Sequence, residues 1–185
     1  MKLQLIDTHT HLFSEQFNID RADAVQRALE VGISHLLLPN IDTKSIPAIR
    51  NAIQQFDACY GMMGLHPCSV SGNYKQDLKT IEAEFENEKY IAVGEIGLDY
   101  YWDNTFRAEQ LKALEIQLEW AKERGLPAII HTRESFNDAI ALVEKCQNGD
   151  LKGIFHCFGG TVDEGKRAID AGFYLGIGGN STFKK

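Results

Sequence analysis

The chain has 185 residues, 44% of them hydrophobic, enough for one well-formed core and consistent with a single domain over 1–185. A net charge of −7 excludes the basic surface with which proteins clamp long stretches of DNA, so any nucleic-acid contact should be short and confined to one site. The cysteines Cys59, Cys68, Cys146 and Cys157 form no CxxC pair, Asp7 interrupts any signal-peptide core, and no apolar run approaches the roughly 20 residues of a membrane helix; together these predict a reduced, cytoplasmic protein with no membrane contact.

Apolar runs at residues 3–6, 35–39, 60–65, 90–93, 126–130, 153–155 and 173–177 predict seven strands. Several are continuous (Leu36-Leu37-Leu38, Ala128-Ile129-Ile130), the pattern of strands covered on both faces of a parallel sheet. Between them, apolar residues recur at helical spacing: Val25, Ala28 and Leu29; Ile46, Ile49 and Ile53; Leu78, Ile81 and Phe85; Leu111, Leu114, Leu118 and Ala121; Phe136, Ile140 and Val143; Val162, Ala168 and Ile169. Gly32, Gly125 and Gly172 stand where a glycine just past a helix end is favoured. This βα alternation predicts a parallel α/β architecture, a TIM-type barrel with a doubly wound sheet as the alternative.

Five of the six histidines directly follow an apolar strand run: His9 and His11, His66, His131 and His156. Glu95 holds the same place after residues 91–93. These are the C-terminal ends of five strands, where barrels build their sites. His9 and His11 are two apart on an extended segment and so face the same way. A single buried histidine is usually a hydrogen-bonded core residue; five at equivalent positions point instead to a divalent-metal site with Glu95. His35 opens the second strand and is read as structural, on the opposite, bottom face of the barrel. Cys157, next to His156, is read as core packing facing away from the site. Gly176, Gly178 and Gly179 offer either a phosphate nest or close backbone packing.

Asp7-Thr8-His9-Thr10-His11 is similar to the HxH opening of the amidohydrolase superfamily. Gly64-Leu65-His66-Pro67, Gly94-Glu95-Ile96-Gly97-Leu98-Asp99-Tyr100, His131-Thr132-Arg133 and His156-Cys157-Phe158 together resemble the TatD family of deoxyribonucleases, over Leu5 to about Asn180. The resemblance implies a (β/α)8 barrel with two divalent ions, Zn, Mg or Mn. His9 and His11 would hold one, His131 and His156 the other, and Glu95 would bridge them. Two ions so held would lower the pKa of a shared water for attack on a phosphodiester. Glu95 and His66 are then the catalytic candidates, His66 as phosphate contact or general acid, and a DNA strand end is the substrate. No protein partner is evident.

Arg133 could grip a phosphate, or form a surface ion pair; Tyr100 or Tyr101 could stack on a base, or pack at the rim. The family's further ligand, an aspartate in a Glu-Thr-Asp motif, has no counterpart, and an eighth strand and last helices are missing. The resemblance therefore implies a C-terminally truncated barrel that partly exposes Leu3, Leu5, Leu175 and Ile177, is poorly stable or self-associating when made alone, and has weak metal binding and little activity. The alternative readings are a metal-dependent amidohydrolase or lactonase acting on a small molecule, or an inactive metal-binding remnant.

Overall fold

A computed structural model describes residues 5–183; Leu3, assigned above to the first strand, lies outside them. Seven strands, β1 (Leu5–Asp7), β2 (Ile33–Leu38), β3 (Cys59–Gly61), β4 (Val93–Asp99), β5 (Ala128–Arg133), β6 (Gly153–Phe155) and β7 (Phe173–Leu175), are described. They alternate with helices α1 (Arg21–Glu30), α2 (Ile46–Gln55), α3 (Tyr74–Glu84), α4 (Arg107–Arg124), α5 (Phe136–Cys146) and α6 (Val162–Asp170).

The strands pair in parallel and in chain order, β1-β2-β3 and β4-β5-β6-β7. The two ladders join just past β3, where Met63 bridges Val93 and Gly94 N donates to Met63 O at 3.0 Å. A doubly wound sheet would reverse its strand order at a switch point. Here the order never reverses, which is the winding of a TIM-type barrel. Among the described residues no ladder joins β1 to β7, and Leu5, Ile6 and Ile177 are exposed there, with Leu175 half-buried.

The continuous apolar runs are explained by burial on both faces. Leu36, Leu38, Ile130 and Phe155 pack in the large core that includes Ile49, Ile81, Leu114, Leu118, Ile140 and Val143 of the helices. The alternate residues Leu37, Met62, Ala92, Ile129 and Ile154 make a separate inner cluster. Gly125 closes α4 in the left-handed region at φ 63°, and Gly32 and Gly172 follow α1 and α6 at φ 96° and 86°. In α6 the helical spacing misleads. Val162 and Ile169 are exposed, and the buried positions are Gly165 and Ala168. Leu175 and Phe158 lie close over Gly165, where an added Cβ would press on the Leu175 side chain at 3.1 Å. No helix among the described residues is long and apolar enough to cross a membrane.

Candidate metal centre and cleft

The inner cluster sets where the histidines go. On β5, Ile129 points inward, so His131 two residues on points the same way; Ile154 does the same for His156 just beyond β6. His9 and His11 follow β1, His66 follows β3, and Glu95 lies within β4. All five predicted metal residues and His66 come together.

Glu95, 3% exposed, is the hub. Its Oε2 is 3.1 Å from His9 Nε2 and 3.9 Å from His11 Nε2. Its Oε1 is 3.2 Å from His131 Nδ1 and 3.8 Å from His66 Nε2. His156 completes the cluster by stacking on His9, with ring centroids 3.4 Å apart. Two tight groups share Glu95: His9 with His156, and His66 with His131, each with ligand atoms within 4.8 Å of one another. The first pairs β1 with β6; the second includes His66, the candidate phosphate contact.

Burial works to raise the Glu95 carboxyl, but hydrogen bonds from His131 and His9 and the neighbouring imidazoles hold it well below the usual range. Burial pushes His66 and His156 down to about 4. It lowers His11 too, helped by His9. His131 is the exception: against its burial, the carboxylates of Glu95 and Asp99 raise it. Most of the cluster is thus neutral imidazole around an ionised carboxylate, the protonation state a metal requires. His9 Nδ1 and His11 Nδ1 are buried with no hydrogen-bond partner among the described residues. Imidazole nitrogens converging on a buried carboxylate fit divalent-metal ligation.

Several residues that hold this arrangement escaped the sequence reading. Asn40, fully buried just beyond β2, accepts at its carbonyl from Glu95 N at 3.1 Å, and its Nδ2 donates to Gly64 O at 2.7 Å. It thereby ties Glu95 to the segment leading to His66. Gln110 and Gln117 lie two turns apart on α4, on one buried face. Gln117 Oε1 accepts from Leu65 N at 2.6 Å, and Gln110 Oε1 accepts from Asp99 N at 2.9 Å. Arg21 closes the loop after His11 by donating to the carbonyls of Leu12, Phe13 and Ser14. Asp99 contacts His131 directly, Oδ2 to Nε2 at 2.8 Å.

The cluster opens onto a cleft of about 830 Å³ whose walls include Tyr100, Arg133, Asp138, His156, Phe158 and Asn180. Arg133 lies 3.6 Å over the ring of Tyr101 and 5.1 Å from that of Trp102, both exposed. Tyr100 belongs to the frame: it is buried, its hydroxyl donates to Asp138 at 2.8 Å, and Arg107 lies over its ring. Cys157 departs from its expected role. It stands beyond the end of β6 at φ 47°, half-buried, and lines the cleft instead of the core. Close packing is the better account of Gly176 and Gly178, where an added Cβ would meet Ile154 and Cys157 Sγ, at 3.3 and 2.8 Å. His35 is outside the cluster, bonded to Ser34 and stacked on Tyr60 near the start of β2.

The family model for "TatD related DNase" matches residues 6–185. The chain is 33% identical to the uncharacterized metal-dependent hydrolase YabD of Bacillus subtilis over 97% of this chain and 71% of that protein. It is 32% identical to the 3'-5' ssDNA/RNA exonuclease TatD of Citrobacter koseri, over 95% of this chain and 67% of that one. The crystal structure of YjjV, a TatD homologue from Escherichia coli, superposes with a TM-score of 0.90 at 27% identity, covering 99% of this chain and 71% of that one. Near-complete coverage by the family model and a shared barrel fold lead to one assignment: the chain belongs to the TatD related DNase family of metal-dependent hydrolases.

Proposed function

We propose that this hydrolase cleaves phosphodiester bonds at the end of a single-stranded nucleic acid, DNA first of all, with two divalent ions, Zn, Mg or Mn, held at the histidine cluster. The observation that supports this is Glu95, a buried carboxylate within 3.1–3.9 Å of four imidazoles, in a cluster whose His131 and His156 line an open cleft. His9, His11, His131 and His156 are the ligands in this reading and Glu95 the bridge between the ions. When bound, such ions lower the pKa of water and neutralise charge on a phosphate. That local positive charge lets an acidic protein accept an anionic strand at one place only.

The protein's own groups supply the rest. His66 Nδ1 accepts from Cys68 N at 3.1 Å, so the ring proton sits on Nε2, which faces the cluster. There it donates to a phosphate oxygen or to the leaving sugar oxygen. Arg133, its guanidinium on aromatic faces and in no ion pair among the described residues, can turn to a phosphate in the cleft. Tyr101 offers a ring for a terminal base, a contact worth roughly 1–3 kcal/mol in single-strand binders. The relatives named 3'-5' ssDNA/RNA exonucleases support the substrate class. The free thiols suit a cytoplasmic setting.

The test is the chain with Mg, Mn or Zn on single-stranded DNA and RNA labelled at either end. Stepwise shortening from one end, abolished by EDTA, is the expected result. Intact strands together with opening of a lactone or cleavage of an amide would transfer the site to the small-molecule reading.

A further inference from the structure

We propose that Asp99 is a positioning residue that sets which nitrogen of His131 faces the metal cluster and, through its other oxygen, ties that histidine to the aromatic rim of the cleft. The proposal rests on His131 being a metal ligand, as in the reading above.

Asp99 ends β4 and is 2% exposed. Its Oδ2 is 2.8 Å from His131 Nε2. Its Oδ1 accepts from Tyr101 N at 3.0 Å and from Trp102 N at 3.4 Å, the turn that carries both exposed rings. Its own backbone is held on both sides by Gln110, which accepts from Asp99 N at 2.9 Å and donates to Asp99 O at 3.2 Å. The carboxylate therefore has little freedom to move.

Each oxygen has a different task. An imidazole can ligate a metal only through a nitrogen that carries no proton, and the partner of the other nitrogen decides which one that is. A carboxylate only accepts: without metal the ring donates to Asp99 from Nε2 and to Glu95 from Nδ1, 3.2 Å away, and when a metal displaces the Nδ1 proton Asp99 keeps the other on Nε2, so that Nδ1 is the ligating atom. His9 and His11 have no such partner at Nδ1 among the described residues. In His131 the protein itself fixes the tautomer.

Asp99→Asn separates the two tasks. The amide of an asparagine has one acceptor oxygen, and the two backbone N–H groups of Tyr101 and Trp102 claim it. The NH2 group then faces His131 Nε2 and donates to it. The proton must move to Nδ1, pointing at Glu95, and His131 is lost as a ligand while the turn stays in place.

The experiment measures metal affinity by chelator competition and histidine 15N shifts in EDTA, for wild type, Asp99→Asn, His131→Gln and the double variant. Asp99→Asn is expected to weaken metal binding roughly 10–100-fold, as loss of a ligand's supporting carboxylate does, and to place the His131 proton on Nδ1. In the His131→Gln background the same change should have almost no further effect, because Asp99 then has no ligand to act through. Wild-type metal affinity and an unchanged His131 proton position in Asp99→Asn would overturn the proposal. So would an additive loss in the double variant, which would mark Asp99 as a fold element only. Should Asp99→Asn fold poorly, the double-variant comparison, corrected for folded fraction, still decides. Neither readout involves nucleic acid, so failure of the phosphodiester reading leaves this test intact.

Discussion

Acidification in EDTA should destabilise this protein through two of its site histidines. Burial pushes His66 and His156 down to about 4 from an ordinary 6.5. Below pH 6.5 the unfolded chain takes up a proton on each, while the folded chain takes up neither until about pH 4. Stability is therefore present above 6.5, falls as the pH drops through that window, and levels off below it. Between pH 7 and 5 the linkage integrates to about 2 kcal/mol for His66. His156 is more open to solvent, and screening cuts its share to about 1 kcal/mol. His131 acts in the opposite direction, because Glu95 and Asp99 raise it against its burial. Its stabilisation is present below 6.5 and is lost as pH rises through its folded value. Over this interval the unfolded histidine gains most of its own proton, which keeps the offset under about 1 kcal/mol. Glu95 adds little, since its unfolded counterpart, with an ordinary value of 4.5, is still mostly ionised at pH 5. The net loss of about 2 kcal/mol corresponds to a fall in melting temperature of about 4–8 °C for a domain of this size. Circular-dichroism melts in EDTA at pH 7, 6 and 5 measure it, with His66→Asn expected to flatten the slope. A midpoint that holds or rises toward pH 5 would refute the claim that the cluster keeps these imidazoles neutral.

Other perturbations separate ligation from scaffolding. Glu95→Gln removes the charge that faces four imidazoles at once, so metal content should drop and hydrolysis fall by more than about 100-fold, beyond the usual cost of losing a residue that merely supports a ligand; elemental analysis and turnover report both. Arg133→Ala should raise KM roughly tenfold with kcat nearly unchanged, the loss expected of one charge-assisted phosphate contact. Gly97→Ala should cost about 3 kcal/mol or more in urea unfolding, because Gly97 has φ 140° and a Cβ there would strike the carbonyl oxygen of His131. His35→Ala, at the start of β2 and away from the cluster, should leave metal content and rate intact at a cost below about 1 kcal/mol; a collapse of activity would mean the strand direction is misassigned.

What could be read in the sequence divides along a physical line. The histidines were legible because a strand has a period of two: once Ile129 and Ile154 are taken as facing inward, His131 and His156 must follow them to the same side. Glu95 was legible because its motif and its place after an apolar run agree. The groups that aim these ligands were not. Asn40, Gln110 and Gln117 act on backbone N–H and C=O groups, at Glu95, Asp99 and Leu65, that the fold brings to them and that leave no trace in side-chain pattern. A glutamine on a helix reads as a solvated position until its neighbour is known. The α6 face was misread for a related reason: periodicity reports where apolar residues recur, while packing at Gly165 and Ala168 depends on how much room Leu175 and Phe158 leave. Asp99 shows where the two kinds of information meet. Its presence in the motif was visible, but its role rests on one oxygen reaching His131 across the β4–β5 ladder while the other holds Tyr101 and Trp102. A carboxylate given two acceptor tasks cannot be replaced by an amide without giving up one of them, so at this position chemical similarity and functional similarity part.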